Sequence, residues 1–314
     1  MRNCLICRKR DHTVIATEIR EGTGRIVQCN NCNLVFQDIE PSYEEIQNYY
    51  NEKYQITNSL TLGQEQSPAD RFRDKLKTLD TTLGNILPLL TEQMSVLEVG
   101  CGTGELLYSL KSKVKNVLGV ELNKKYSDFM NNELGIETYG EDINNIGFGG
   151  KKFDLIICLA TLDHLADPLK TLIAMKDVLS PSGKLYIEVP NRNEALNYFL
   201  CSKNKMKFNK FFWHYAHLYY FTKETIENLF NKAGLKMQIS CYHKYTLNNF
   251  LNWYYCGQPQ SSFIKGATDS KFFNGRSDFE MSMNELLLDV ENEFKKIMSK
   301  TFRGDTLCCT GWIK

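Results

Sequence analysis

The 314-residue sequence has almost no net charge: 38 lysines and arginines face 37 aspartates and glutamates, giving +1 at neutral pH. No basic field is available to steer a polyanion, which argues against nucleic acid as the partner. No apolar run approaches the ~20 residues that span a bilayer. The amino-terminal stretch is polar and charged, without the apolar h-region of a signal peptide. The expectation is a cytoplasmic protein with no membrane partner. Internal repeats and low-complexity segments are absent, and 42% hydrophobic content at this length suffices for one sizeable core with additions. Histidine is scarce, with five in all, so few side chains can serve as a base near neutral pH.

What the chain does have is a glycine turn. Val96 to Val99 reads as a buried strand, Gly100-Cys101-Gly102-Thr103-Gly104 as a turn, and Glu105-Leu106-Leu107 as a helix start. Such glycines let the backbone approach a ligand toward which helix-opening amides point. The dinucleotide fingerprint wants a third glycine where Glu105 stands, and the Gly-Lys-Ser/Thr of a P-loop is missing. The next apolar strand, Val117 to Val120, ends in Glu121, about twenty residues on, where an acid meets ribose hydroxyls in a doubly wound fold. Gly140-Glu141-Asp142-Ile143 adds an acid beside an apolar residue. Phe153 to Leu159 reads as a central parallel strand, Leu169 to Leu179 as a helix closed by Ser180 to Gly183, and Lys184 to Val189 as a fifth strand. Later strands are expected at Lys236 to Tyr242 and Thr306 to Ile313. The alternation predicts an α/β protein with a doubly wound, seven-stranded, mostly parallel sheet.

These residues resemble motif I and its successors in the class I S-adenosylmethionine-dependent methyltransferases, with a Rossmann-like fold. The resemblance implies a cofactor pocket formed by Glu98, Gly100, Gly102, Gly104, Glu121, Leu122, Asp142, Ile143 and Leu159. Asp142 would accept from the adenine amine and Ile143 would pack on the ring. Asp163-His164 stands where the family usually has Glu-His.

Four of the eleven cysteines form Cys4-Leu5-Ile6-Cys7 and Cys29-Asn30-Asn31-Cys32. Each C-x-x-C grips one side of a tetrahedral zinc, and Thr13 to Ile19 with Arg25 to Val27 would be the ribbon strands between them. Four protein ligands leave no open position, so Zn2+ here is expected to be structural. The expected layout is a small zinc ribbon over 1–40 and a helical connector and lid over 41–90. A methyltransferase domain over 91–314 follows, with 190–221 covering the acceptor and a helical insertion at 245–303.

Tyr43, Tyr49, Tyr50 and Tyr54 in the connector either shield a sulfonium or merely dock the connector. Asp70 to Leu90 reads as one amphipathic helix, from which Arg71 or Arg73 would reach the cofactor carboxylate. Met281 to Met298, with Leu286, Leu287, Val290, Phe294 and Ile297 at helical spacing, reads as a packing or dimer helix, leaving monomer and homodimer both open. Candidate catalytic residues are His217, His164 and Tyr50; His12 and His243 are poorly placed. The ribbon, the connector and the motif His217-Leu218-Tyr219-Tyr220-Phe221 resemble zinc-containing methyltransferases of sugar and polysaccharide pathways. That implies a small-molecule acceptor such as a nucleotide-linked sugar. Because Ala216 stands where the C-methylating members have Glu, O- or N-methylation is expected. Two alternatives stay open: an RNA methyltransferase using the zinc ribbon for RNA binding, favoured only by Lys203, Lys205, Lys207 and Lys210 interleaved with Phe208, Phe211 and Phe212, and a cofactor-binding protein without chemistry.

Overall fold

The computed structural model describes residues 2–54 and 66–314; residues 55–65, part of the expected lid, lie outside the described residues. Two sheets organise the chain. The small one begins with β1 (His12–Ile19), β2 (Gly22–Cys29) and β3 (Val35–Gln37). β1 and β2 pair from His12↔Cys29 to Ile19↔Gly22, so the hairpin extends past the expected ribbon strands to a two-residue turn. A fourth strand, β9 (Tyr219–Tyr220), adds to β3 through Val35↔Tyr220 and Phe36↔Tyr219.

The large sheet holds β4 (Ser95–Val99), β5 (Asn116–Val120), β6 (Thr138–Tyr139), β7 (Phe153–Leu159), β8 (Leu179–Pro190), β10 (Leu235–Tyr242) and β11 (Thr306–Ile313). Their order is β10-β11-β8-β7-β4-β5-β6, and only β11 runs against the rest. Seven strands, mostly parallel, were expected. The central strands read as continuous apolar runs because helices cover both faces: Val96, Leu97, Ile156, Ile157, Cys158 and Ile187 are all fully buried. Asp167 caps the helix Pro168–Val178 through the Lys170 amide, with Pro168 in its first turn. Thr222 caps Lys223–Lys232 reciprocally with Thr225.

Two boundaries differ from the sequence reading. Residues 70–90 do not form one helix; Pro68–Leu76 is followed by Asp80–Ile86 and a 3₁₀ turn at Leu87–Leu89. The break falls at 77–79, and Pro88, which lacks a donor, sits in the 3₁₀ turn after the second helix. Ser180 to Gly183 does not close the preceding helix but lies inside β8, bulged between Phe153↔Leu179 and Leu155↔Lys184. The insertion is helical as expected, with Leu247–Cys256, Phe263–Thr268 and Asp278–Lys300.

The ribbon shares its core with the large sheet. Cys4, Leu5, Ile6, Val27, Leu34 and Phe36 belong to the same buried cluster as Leu162, Leu172, Leu218 and Phe221. Among the described residues no helix is long and apolar enough to cross a membrane.

Candidate active site

The carboxyl ends of β4, β5, β7 and β8 open on a cavity of about 440 Å³, the place where a doubly wound sheet takes its ligand. The glycine turn forms its floor. Gly100 has φ +75° and a Cβ there would sit 2.3 Å from Thr161 Oγ1; Gly102 has φ +55° and a Cβ would meet nothing within 4 Å. Gly100 is thus required by close packing, and Gly102 keeps space open on the ligand side.

Glu121 is aimed by backbone. Its Oε2 accepts from the Gly102 amide and its Oε1 from the Asn123 amide, each at 2.8 Å. Burial pushes its carboxyl up to about 7. Glu98 is also buried, and its Oε2 has no hydrogen-bond partner among the described residues; burial raises its pKa well above the carboxylate range. Asp142 caps a 3₁₀ turn by accepting from the Asn144 amide at 2.8 Å, which leaves Ile143 against the cavity. Leu122 and Leu159 line the same space. Of the two arginines, Arg71 is buried at the cavity wall, whereas Arg73 pairs with Asp70 at the surface.

Tyrosines and a histidine line the same cavity beside Asn123. The Tyr50 hydroxyl lies 2.7 Å from His164 Nδ1, the Tyr54 ring packs against both, and all three line the cavity. Asn123 ties this connector down by donating from Nδ2 to the Tyr50 carbonyl at 2.9 Å. His217 does not line the cavity. Its ring packs on that of His164 with centroids 4.8 Å apart, and Asp163 Oδ2 approaches both, 3.2 Å from His217 Nε2 and 3.5 Å from His164 Nε2. Asp163 is 1% exposed, and burial pushes its carboxyl up to about 7. The same burial lowers His164 to about 4 and His217 well below its ordinary value, so both imidazoles are neutral and burial disfavours their taking up a proton. His214 packs on His217 with ring centroids 3.6 Å apart.

Sequence reasoning gave Asp163 no role, although it stands at the family's acidic position beside His164. His12 packs edge-on against Phe36 in the ribbon, and His243 pairs with Asp305 away from the cavity. The lysine-flanked aromatics turn inward: Phe208 and Phe211 each pack on Trp253 with centroids 5.0 Å apart. A base-stacking platform is thereby lost there.

A family model described as a methyltransferase domain matches residues 69–238, more than half of the sequence. The chain belongs to the methyltransferase-domain family. It is 32% identical over 103 residues to a ubiquinone biosynthesis O-methyltransferase of Coxiella burnetii, a match covering 31% of this chain and 44% of that protein. A similarly named protein of Actinobacillus pleuropneumoniae is 33% identical over 107 residues, covering 31% and 46%. The chain therefore spans less than half the length of these curated relatives. Among solved structures, the (4+2)-cyclase SpnF aligns with a TM-score of 0.50 at 13% identity, covering 88% of this chain and 98% of that one. A likeness at that identity speaks for the shared fold alone.

This methyltransferase-domain chain also carries the cysteine cluster. Cys4 Sγ is 3.4 Å from Cys32 Sγ, Cys7 Sγ is 3.4 Å from Cys29 Sγ, and all four sulfurs lie within 4.8 Å of one another. Sulfurs ~2.3 Å from a central ion in a tetrahedron stand roughly 3.8 Å apart, so this donor set can enclose one thiophilic cation. None of the eleven cysteines is in a disulfide.

Proposed function

We propose that the protein transfers a methyl group from S-adenosylmethionine to an oxygen or nitrogen of a small polar acceptor, a nucleotide-linked or polysaccharide-precursor sugar. The observation that carries this reading is one cavity lined by two chemically distinct groups. One is the open space at Gly102 with the backbone-aimed Glu121; the second is the hydrogen-bonded pair Tyr50–His164. When bound, S-adenosylmethionine supplies a methyl group on a sulfonium, an electrophile with an excellent leaving group.

The chain's residues supply the rest. Glu121 would take the ribose hydroxyls, Asp142 the adenine amine and Ile143 the ring face, while Arg71 would pair with the carboxylate. Tyr50 and Tyr54 would close over the reacting atoms. Alignment is the larger contribution: holding reactants in line is worth on the order of 7 to 11 kcal/mol, against ~10²- to 10⁴-fold for a general base. A hydroxyl acceptor still has to lose its proton, and Tyr50 with His164 is placed to receive it. Oxygen as the target is supported by the O-methyltransferase names of the partial relatives. The sugar rests on the resemblance of the ribbon and the His217 to Phe221 motif.

The test is a methyl-transfer screen over nucleotide sugars, small metabolites and RNA, read as labelled methyl in product. Turnover with a sugar or small metabolite is expected. Activity confined to RNA would refute the proposal.

The cysteine quartet is proposed to hold one structural zinc in a protein that works in the cytoplasm. Because the ribbon core is continuous with the main core, losing the metal weakens both. Metal analysis is expected to give one zinc per chain. Chelation is expected to lower Tm by roughly 5 °C or more, taking a loss of about 2 kcal/mol at ~2–4 °C per kcal/mol. An unchanged Tm in metal-free protein would contradict it.

A further inference from the structure

The ribbon directs several of its polar groups inward, onto one segment of the main domain. Residues 211–218 lead from the helix Ser202–Phe212 to β9, and ribbon donors meet backbone carbonyls along them. Arg20 gives its amide to the Trp213 carbonyl at 2.7 Å and its guanidinium to the Phe211 carbonyl. The Gln37 amide and the Arg2 guanidinium reach the Leu218 carbonyl, and Glu21 accepts from the Tyr215 amide at 3.0 Å.

At the centre of this contact is the Gln37 side chain, at the end of β3 and 1% exposed. Its Nε2 lies 2.7 Å from the His214 carbonyl oxygen, 3.1 Å from that of Tyr215 and 2.8 Å from that of His217. Carbonyls only accept and an NH2 group only donates, so these neighbours fix which way the amide points. The His217 amide closes the turn by donating to the His214 carbonyl at 3.1 Å. Three carbonyl oxygens converging on one point make a small negative pocket, and the Gln37 amide fills it. A leucine there would withdraw the donor, and an ionised glutamate would add charge of the wrong sign.

The same turn carries two histidines. His214 and His217 stack with centroids 3.6 Å apart, and His217 in turn meets Asp163 and His164. The Leu218 amide donates to the Asp163 carbonyl at 2.9 Å, which joins the turn to the segment bearing His164. Gln37 itself does not line the cavity.

We infer that Gln37 is a positioning residue: through the 214–217 turn it sets where His217 stands against Asp163 and His164. The inference rests on the proposed assignment of Tyr50 and His164 to the acceptor. Glu121, assigned to the donor, is held instead by the Gly102 and Asn123 amides. The ribbon's part in the reaction is then to hold this histidine layer in place.

The test uses full-length, zinc-loaded protein, with S-adenosylhomocysteine as the donor-site probe and imidazole nitrogen NMR resonances as the readout of the histidines. In Gln37→Leu the His217 and His164 resonances are expected to shift while S-adenosylhomocysteine affinity stays within about two-fold of the parent. On any acceptor that the parent methylates, kcat is expected to fall ~10-fold or more. Gln37→Glu adds a pH profile. Its carboxyl donates when protonated and repels the carbonyls when ionised, so its His217 resonances should match the parent at about pH 5.5 and Gln37→Leu at about pH 9. Unchanged His217 and His164 resonances in a folded Gln37→Leu overturn the inference, as does a loss of probe affinity of ~10-fold or more. If that variant does not fold, Gln37→Glu decides: His217 resonances that follow the parent at both pH values overturn it. A parent that methylates only RNA refutes the sugar reading and leaves the resonance test standing.

Discussion

Gly102→Arg is expected to leave a folded protein that no longer binds S-adenosylmethionine, with affinity lowered by more than about 10²-fold, some 3 kcal/mol. The fold should tolerate the change because a Cβ at this position meets no atom within 4 Å. The left-handed backbone, φ +55°, costs a non-glycine residue only about 1–2 kcal/mol. Binding should not tolerate it, since the new side chain fills the cavity floor next to the carboxylate that Gly102 holds in place. Gly100→Ala is the matching control with the opposite outcome. Its methyl would be driven into Thr161, so it should lower Tm. Calorimetry and thermal unfolding on the two variants separate the effects, and normal donor affinity in Gly102→Arg would contradict the site's placement.

Asp163→Asn is expected to lower kcat by roughly 10²-fold or more while leaving donor affinity within a few-fold. Asp163 Oδ2 approaches His164 and His217, and under the proposed function it would orient them and stabilise a charge taken up by either. Asp163→Glu, which restores an acid at the same place, should recover part of the rate. Stability should move the other way. Asp163 ionises near 3.8 when unfolded and at about 7 when folded, so the stability it contributes as a buried neutral acid is complete below 3.8. That contribution is lost as pH rises toward 7. The asparagine variant should gain in Tm over the parent across that window and level off above it. An unchanged kcat, or a variant that loses stability as pH rises, would remove this role.

The central strands β4, β5 and β7 were legible from the sequence because each is a short apolar run with a chemically marked residue in it or just after it: Glu98, Glu121 or Asp163-His164. The cavity residues at those strand ends were legible for the same reason, since glycines and acids there are local signals. The side formed by the tyrosines and histidines was not. His217 looked like a base by its motif, but whether it faces the cavity depends on a layer of packing that sequence spacing does not encode. Asp163 was in plain view and had no assigned role, because a carboxylate's function rests on what surrounds it. The helix expected over 70–90 breaks at 77–79, a stretch with no glycine or proline to signal it. β3 and β9, of three and two residues, are too short to carry a periodic pattern at all.

β9 has a consequence for how the chain is made. The four cysteines are all present once residue 32 has been synthesised, so a cation can close the hairpin early. The sheet containing that hairpin stays one strand short until Tyr219 and Tyr220 emerge, nearly two hundred residues later. During that interval β3 offers an unpaired edge on the nascent chain. The last contact of the small sheet therefore forms together with the segment that carries His217, so that its completion reports that this later segment has docked.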